Sequence, residues 1–486
     1  MRRAAVVVPF RRGSEGEVAA VYLVERAKDL RAWGGLWSFP GGQVEAEDGD
    51  APLGARVRDG LSASDASIEP AVVAAAAREL FEETGALVVR PKDASFASPS
   101  VGFDKERDRA RRELLARGPA NVFVRFLRDH GLVIDAAAFL PACRLITPSF
   151  AARRLDASFF FCEIHQELDV RPGELDRGCW LGPGEALELW RRRELSLAPP
   201  AVSILEVLAR ARFEKALDEL RAVPAEFEGS GRVVAWAPGY ELVPLTGRSL
   251  PPITPTTTVL VGGCRFIVID PGAESEIATR HLEAVIERRL ARGDRLEAVV
   301  LTHHHPDHIG GLEPILRRFR PPLWAHDRTA SLIERKVARA LDDGDRIELG
   351  DDLAGTPGWS LEALYTPGHA EGHIALHDAR FRTLIAGDLV STLLSVYVGS
   401  PGGSIEDYLG SLRRALDLDL EAIIPAHGAP SKEPRSLLER TIAHRERRLR
   451  QVEARLGSEP VSAAELAIAI YPEAKGREEI VLELVT

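Results

Sequence analysis

Apolar residues along this chain come in short runs broken by polar turns. Runs at residues 4–8, 19–24 and 158–164 predict strands interleaved with helical segments, and an amphipathic pattern at 202–220 closes the stretch. After Val223-Pro224 a second series begins at Val233, punctuated by Pro238-Gly239 and Pro251-Pro252. It alternates strands at 259–261, 266–269, 298–301 and 422–424 with helices such as 277–290. The pattern predicts two α/β or α+β domains, 1–227 and 228–432, each layered helix on sheet. From Pro434 to Leu456 the chain turns helical and Arg/Glu-rich, with a further short helix at 461–470. The chain stops at Thr486 soon after, as if this 433–486 helical extension were an incomplete small module.

Composition supports this division. At 486 residues the chain exceeds what one hydrophobic core organises. No uncharged apolar run approaches the roughly 18 residues a membrane span needs. The opening MRRAAVVVPFRRG is too short in apolar residues for a secretory signal, so a cytoplasmic location is expected. Cys143, Cys162, Cys179 and Cys264 are scattered without a CxxC pair, which predicts buried small side chains rather than disulfides or a thiolate metal site. A net charge of −11 counts against a globally basic nucleic-acid surface, and the arginine clusters at 107–112, 191–193 and 445–450 read as solvated helix faces.

The chemistry concentrates in two places. In the second half, THHHPDH follows the apolar strand at 298–301 and gathers His303, His305, Asp307 and His308 in one loop. His369 in TPGH, Asp388 in LIAGD and His427 in IIPAHG each follow a further strand-like run. Imidazole and carboxylate are common Zn2+ ligands, and seven donors suffice for two metals. This HxHxDH set, with its distant His, Asp and His, resembles the metallo-β-lactamase superfamily over about residues 233–432. The resemblance implies an αββα sandwich holding two Zn2+, one on His303, His305 and His369, the other on Asp307, His308 and His427, with Asp388 bridging. It also implies a hydroxide nucleophile between the metals, since zinc lowers the pKa of bound water toward about 7, and it places Asp307 among the catalytic residues. His304, His326 and His377 match no donor position and are expected to be structural. His373, in TPGHAEGH, is a candidate substrate-side acid–base group.

In the first half, PAVVAAAARELFEETG is a good helix former, with Pro70 suited to its first turn and Gly85 to its end. Glu79, Glu82 and Glu83 stand at i, i+3 and i+4 on one face. Carboxylates so close repel unless a cation joins them, and oxygen donors suit Mg2+ or Mn2+ held with substrate phosphates. RELFEETGA, with SFPGG at 38–42, is similar to the Nudix hydrolases. That similarity implies an α/β/α sandwich, metal on Glu79, Glu82 and Glu83 over a pyrophosphate linkage, and Arg78 orienting the carboxylates. Glu79 is then a candidate for metal or general-base work.

The spacing departs from that family. Gly42 precedes Asp48 as expected, but 29 residues separate Asp48 from Arg78, so an insertion at about 49–70 interrupts the motif and the roles of Asp48 and Glu45 stay open. The insertion, with LITPSF at 145–150, the nearby RRLDASFF, WLGPGEAL at 180–187 and APP at 198–200, resembles Nudix enzymes that cleave coenzyme A and acyl-CoA. Trp180 and the proline turn read equally well as scaffold. The tail motifs HRERR at 444–448 and AIYPE at 469–473 resemble the β-lactamase-like protein 2 group, whose neighbourhood includes a single-stranded-RNA endoribonuclease and hydrolases of carrier-protein thioesters.

The expectation is a bifunctional metal-dependent hydrolase acting on small molecules. Its Nudix half would cleave the pyrophosphate of coenzyme A or an acyl-CoA, and its zinc half a thioester or ester. One alternative makes the zinc half an endoribonuclease for single-stranded RNA and gives the Nudix half a nucleoside diphosphate derivative, which the acidic balance disfavours. Another is a non-catalytic ligand sensor whose helical tail meets a partner, and it would require missing donors.

Overall fold

The computed structural model describes residues 1–28, 34–54, 69–92, 102–151, 154–224, 232–246, 255–399 and 401–456, with the single positions 462, 465, 466 and 470. Most of the expected insertion (55–68) and of the tail beyond 456, with the helix expected at 461–470, lies outside them. The chain separates into two compact units, one drawn mainly from residues up to Glu226 and the other mainly from Gly239 onward.

In the first unit, strands run in the order Trp37–Ser38, Val18–Arg26, Arg2–Arg12, Leu155–Glu163, Leu140–Ile146. Gly41–Gln43 also pairs with Arg2–Arg12, and Leu175–Leu181 with Val18–Arg26. Arg2–Arg12 and Leu155–Glu163 are parallel, and both are apolar on two faces. Successive side chains of a strand point to opposite sides. Ala5, Val7, Phe160 and Cys162 therefore face helices Pro70–Thr84, Phe103–Leu115 and Asn121–Asp129. Val8, Phe10, Phe159 and Phe161 face Pro183–Arg191, Pro199–Leu208 and Phe213–Arg221. The result is an α/β/α sandwich, and the double burial explains why these strands read as unbroken hydrophobic runs.

The amphipathic stretch expected at 202–220 is two helices, Pro199–Leu208 and Phe213–Arg221. The turn between them brings Phe213 to stack on Phe10 with ring centroids 4.6 Å apart, and Arg210 Nη1 bridges it to Glu219 at 2.6 Å.

In the second unit, six strands of one sheet run Tyr240–Leu245, Thr256–Gly262, Arg265–Ile269, Arg295–Val300, Leu323–Ala325, Arg339–Ala340. A second sheet runs Arg346–Gly350, Trp359–Tyr365, Ile374–Asp378, Thr383–Gly387, Ala422–Pro425. Helix Glu276–Ala291, capped by the Ser275 hydroxyl, covers the first sheet, and Ile405–Leu416 with Pro434–Glu453 covers the second. Between the sheets the buried Asp378 accepts hydrogen bonds from Tyr240 of the first and from Trp359 Nε1 of the second at 2.7 Å. A buried carboxylate costs several kcal/mol unless paired, so these donors make the inter-sheet contact specific as well as apolar. The order of layers is αββα.

Cys162 is buried, but Cys264 is exposed, against the expectation for the cysteines, because it lies in the tight turn joining Thr256–Gly262 to Arg265–Ile269. Among the described residues no helix is long and apolar enough to cross a membrane.

Candidate metal centres

In the second unit the polar side chains gather where strands end. The chain leaves Arg295–Val300 through Thr302 and enters the short helix Pro306–Ile309, which carries Asp307 and His308. At the end of the neighbouring strand stands Asp270, a residue the sequence reading missed, held in the left-handed region at φ 51°. Its carboxylate accepts the Thr302 N–H at 2.7 Å and the Thr302 hydroxyl at 2.6 Å, and lies 2.9 Å from His308 Nδ1. A carboxylate behind an imidazole holds the ring and leaves its other nitrogen free for a cation. Gly272 permits this packing, since a Cβ there would lie 2.1 Å from the Asp307 carbonyl oxygen.

The free nitrogens converge. His369 Nδ1 meets the Tyr397 carbonyl at 2.5 Å and so carries the proton, which makes its Nε2 a lone pair in the neutral ring. That Nε2 lies 3.2 Å from His303 Nε2 and 2.9 Å from His305 Nδ1, and the last two are 3.0 Å apart. Three ring nitrogens in one triangle cannot all satisfy one another by hydrogen bonds. Nearby, Asp388 Oδ1 lies 3.5 Å from His308 Nε2 and 3.4 Å from His427 Nε2, and His427 Nε2 lies 3.2 Å from Asp307 Oδ2.

Three triplets of donor atoms fall within 4.8 Å of one another: His303, His305 and His369; Asp307, His308 and His427; and His303, His308 and Asp388. Among the described residues, His308 Nε2 and Asp388 Oδ1 are buried with no hydrogen-bond partner. Orphaned buried polar atoms are costly, and the donor set fits two cations with Asp388 between them.

With no cation the charges polarise the cluster. Burial opposes a charge on His427, but Asp388 and Asp307 outweigh it and raise the ring to about 9. Burial likewise pushes Asp307 up, but the His427 hydrogen bond and His308 bring it down to about 2. At the all-histidine triplet, burial and the neighbouring His369 take His305 down to about 3.

His373 corrects the expectation of a substrate-side group. It is fully buried behind the cluster, where its Nε2 accepts the Asp388 N–H at 3.1 Å and its Nδ1 lies 2.8 Å from the Thr366 hydroxyl. Burial and His369 lower it to about 3, so the ring is neutral and serves as an acceptor. His326 stacks on Tyr365 at 4.6 Å and accepts the Arg328 N–H, and His377 pairs across the sheet with Glu362. His304 packs edge-on against His305.

In the first unit, helix Pro70–Thr84 starts on Pro70 and ends at Gly85 in the left-handed region (φ 77°). Arg78 is buried and forks onto Asp48, Nε to Oδ1 at 2.8 Å and Nη2 to Oδ2 at 3.0 Å. The same guanidinium reaches Glu79 Oε1 at 2.8 Å, the Gln43 carbonyl at 2.9 Å and Glu82 Oε2 at 3.5 Å. The Gly41 N–H donates to Glu83 Oε2 at 2.8 Å. Gly42 lies so close that a Cβ there would sit 2.3 Å from Glu79 Oε1. Asp48, left open from the sequence, is thus an anchor for Arg78. Glu45 stands at the N-terminal cap of the short turn at 46–50, where its N–H donates to Asp48 Oδ2 at 2.8 Å.

These carboxylates are strained electrostatically. Burial, partly offset by Arg78, raises Glu79 to about 7. Glu82 is raised by burial, and Glu83, buried beside Glu79, is raised well above the usual carboxylate range. A hard divalent cation removes both penalties, so the set fits Mg2+ or Mn2+.

Arg111 departs from the solvated face expected for 107–112. It is 3% exposed, because it is the inward position of an amphipathic helix that also buries Ala110 and Leu114. Its Nε donates to the Glu82 carbonyl at 3.0 Å and its Nη2 to the Glu83 carbonyl at 3.1 Å. It therefore caps the helix end that presents the glutamates, where unpaired carbonyls favour a cation.

Residues 251–427 match the family model of the metallo-beta-lactamase superfamily, and residues 57–208 match that of the NUDT19 Nudix domain. The chain is 27% identical over 255 residues to the probable metallo-hydrolase YqjP of Bacillus subtilis, covering 44% of this chain and 79% of the relative. It is 28% identical over 206 residues to the beta-lactamase-like protein 2 homolog of Caenorhabditis elegans, covering 40% and 64%. Over 111 residues it is 36% identical to the hydroxyacylglutathione hydrolase of Aeromonas hydrophila, covering 23% and 37%. The chain thus spans less than two thirds of the last two relatives.

Proposed function

Because the chain is a hydrolase that joins a Nudix domain to a metallo-β-lactamase domain, we propose that its two sites act on one class of compound, acyl thioesters of coenzyme A or a like carrier. The first unit cleaves the pyrophosphate linkage and the second hydrolyses the acyl–sulfur bond.

The observation that carries this reading is the contrast between the two donor sets. Glu79, Glu82 and Glu83 offer only oxygen, which suits a hard cation holding phosphate oxygens. The second unit offers mainly imidazole, which suits Zn2+ and acyl transfer to water. The Aeromonas relative is named for hydrolysis at an acyl-glutathione, another acyl–sulfur compound.

In the first unit, Arg78 holds Glu79 through Oε1 and leaves Oε2 to take or release a proton near neutral pH. The Gly41 N–H steers Glu83, and Arg111 stiffens the helix end beneath Glu82 and Glu83. Bound Mg2+ or Mn2+ would neutralise the charge of the pyrophosphate. In the second unit, His303, His305 and His369 would hold one Zn2+, and Asp307, His308 and His427 the other, with Asp388 between them. Zinc so held would lower the pKa of water and polarise the bond under attack. Asp270 and the Tyr397 carbonyl orient the His308 and His369 rings, and His373 holds the Asp388 backbone.

The test is to incubate the full-length protein with an acyl-CoA and Mg2+ and to follow 4′-phosphopantetheine products and freed thiol separately. Glu83→Gln should remove the first and His303→Ala the second. Robust turnover of other nucleotide pyrophosphates with no cleavage of any coenzyme A compound would overturn the reading.

A further inference from the structure

Two donors of the second unit share one brace. Tyr408, in helix Ile405–Leu416, is fully buried. Its hydroxyl donates to the carbonyl of Leu389, the residue after Asp388, at 2.8 Å. Its backbone packs on Gly368, the residue before His369, so closely that a Cβ there would lie 2.2 Å from the Tyr408 nitrogen. The Ser404 N–H at the start of this helix donates to the Gly368 carbonyl at 2.8 Å, and the Ser411 hydroxyl donates to the Pro367 carbonyl at 2.7 Å. Tyr408 thus touches the backbone beside His369 and beside Asp388.

Behind Tyr408 lies helix Pro434–Glu453. Its residues Leu437, Leu438 and Ile442 pack in the apolar layer around Tyr408. A helix that only packed would continue this stripe three residues on with another apolar group. Position 445 is instead arginine. Its guanidinium carbon lies 5.5 Å from the Tyr408 ring centroid, and among the described residues its Nε and Nη2 are buried without a hydrogen-bond partner. The adjacent carboxylate, Glu446, pairs instead with Arg413 Nη2 at 2.9 Å. A buried cation without a carboxylate is costly, and this one faces a phenol. Burial pushes the Tyr408 hydroxyl up, and the Arg445 charge opposes that shift.

We infer that Arg445 is a positioning residue of the second-unit metal centre. Its cation holds the Tyr408 ring and strengthens the hydroxyl as a donor to Leu389, so that helix Pro434–Glu453 fixes the spacing of His369 and Asp388. The inference rests on those donors holding Zn2+ and is independent of which bond the unit cuts. It makes the helix part of the site's support rather than a cover.

The test measures Zn2+ affinity of the full chain by competition with a fluorescent chelator. It compares the wild type with Arg445→Met, Arg445→Lys, Tyr408→Phe, the Arg445→Met/Tyr408→Phe pair, and Arg440→Met, an exposed position of the same helix. Arg445→Met and Tyr408→Phe should each weaken binding by roughly five- to tenfold, the equivalent of one hydrogen bond. Arg445→Lys, which keeps a cation at the ring, should recover most of the loss, and Arg440→Met should lose nothing. Because both substitutions act on one contact, the pair should be within about twofold of the worse single variant. Unchanged affinity in Arg445→Met, no recovery in Arg445→Lys, or losses that multiply in the pair would overturn the proposal. Should Arg445→Met not fold, Tyr408→Phe decides alone: weakened binding upholds the brace and wild-type binding overturns it. A wild-type chain that binds no Zn2+ sinks the metal reading itself, and the inference with it.

Discussion

Replacing His373 tests whether a buried imidazole that touches no substrate controls the second-unit donors. In His373→Leu the volume is nearly kept, so the core does not open, but the acceptor is lost. The Asp388 N–H, now 3.1 Å from Nε2, is left buried without its acceptor, and the Thr366 hydroxyl, 2.8 Å from Nδ1, loses the ring N–H that it accepts. Each such group costs about 1–3 kcal/mol. The cheapest relief is a shift of the Asp388 backbone toward some other acceptor, which moves its carboxylate away from His308 and His427. Loss of a group supporting a metal ligand lowers metal affinity by roughly 10- to 100-fold. The assay is zinc retained per chain after dialysis against graded chelator, with the thermal midpoint followed in parallel. His373→Leu should lose zinc at about 10-fold lower chelator strength or less. His373→Gln, whose amide oxygen reaches about as far as Nε2, should recover most of the loss. Pyrophosphate cleavage by the first unit should be unchanged in both and serves as the internal control. Wild-type zinc retention by His373→Leu would refute the reasoning.

Three further outcomes are expected. Glu83→Gln keeps an acceptor for the Gly41 N–H but drops the charge, so Mg2+-dependent pyrophosphate cleavage should fall by roughly a hundredfold or more with the thermal midpoint held or raised, as measured by phosphate release and calorimetry. Glu79 in the folded chain is raised to about 7 from 4.5, so between those values the native state binds more protons than the unfolded state and stability without metal falls as pH rises. A cation replaces that proton, so the thermal shift produced by Mg2+ should be larger at about pH 8 than at about pH 5.5, and the reverse order would contradict the assignment. Arg111→Ala strands the Glu82 and Glu83 carbonyls and should cost about 1–3 kcal/mol in urea unfolding, while raising the Mg2+ concentration needed for half-maximal activity. Arg111→Lys should restore only part, because an ammonium cannot fork to both carbonyls.

The layers of both units were legible in the sequence because strands buried on two faces give unbroken apolar runs, as at Ala4–Val8 and Phe159–Cys162. The clustering of His303, His305, Asp307, His308, His369, Asp388 and His427 was legible for a related reason: each follows such a run, and strand ends in layered folds gather at one edge. Asp270 was missed although it too follows an apolar strand, because a lone carboxylate with no histidine beside it carries no metal-like spacing. Its signal was Asp-Pro-Gly at that strand end, a combination suited to a left-handed kink. Arg111 was missed because charge alone does not reveal which arginine of a run sits on the inward face. His373 was misread because proximity in sequence to His369 says nothing of which side of the cluster the ring occupies. The amphipathic period at 202–220 carried straight through a turn that is fixed by contacts remote in sequence, the stacking of Phe213 on Phe10 and the Phe213 N–H on the Gly16 carbonyl.

The fork between Arg78 and Asp48 bears on how such a chain can change over evolutionary time. Residues 48 and 78 are far apart in sequence but clamped together in space, so the turn at 46–50 and the helix Pro70–Thr84 are fixed to each other whatever the length of chain between them. Doubling such a loop costs only about 0.6 kcal/mol in closure entropy, and the clamp shields the glutamates from what happens beyond it. The stretch ahead of Pro70 can therefore change in length without moving the glutamate face, whereas residues 72–77, buried in the first half of that helix, carry the carboxylates into place.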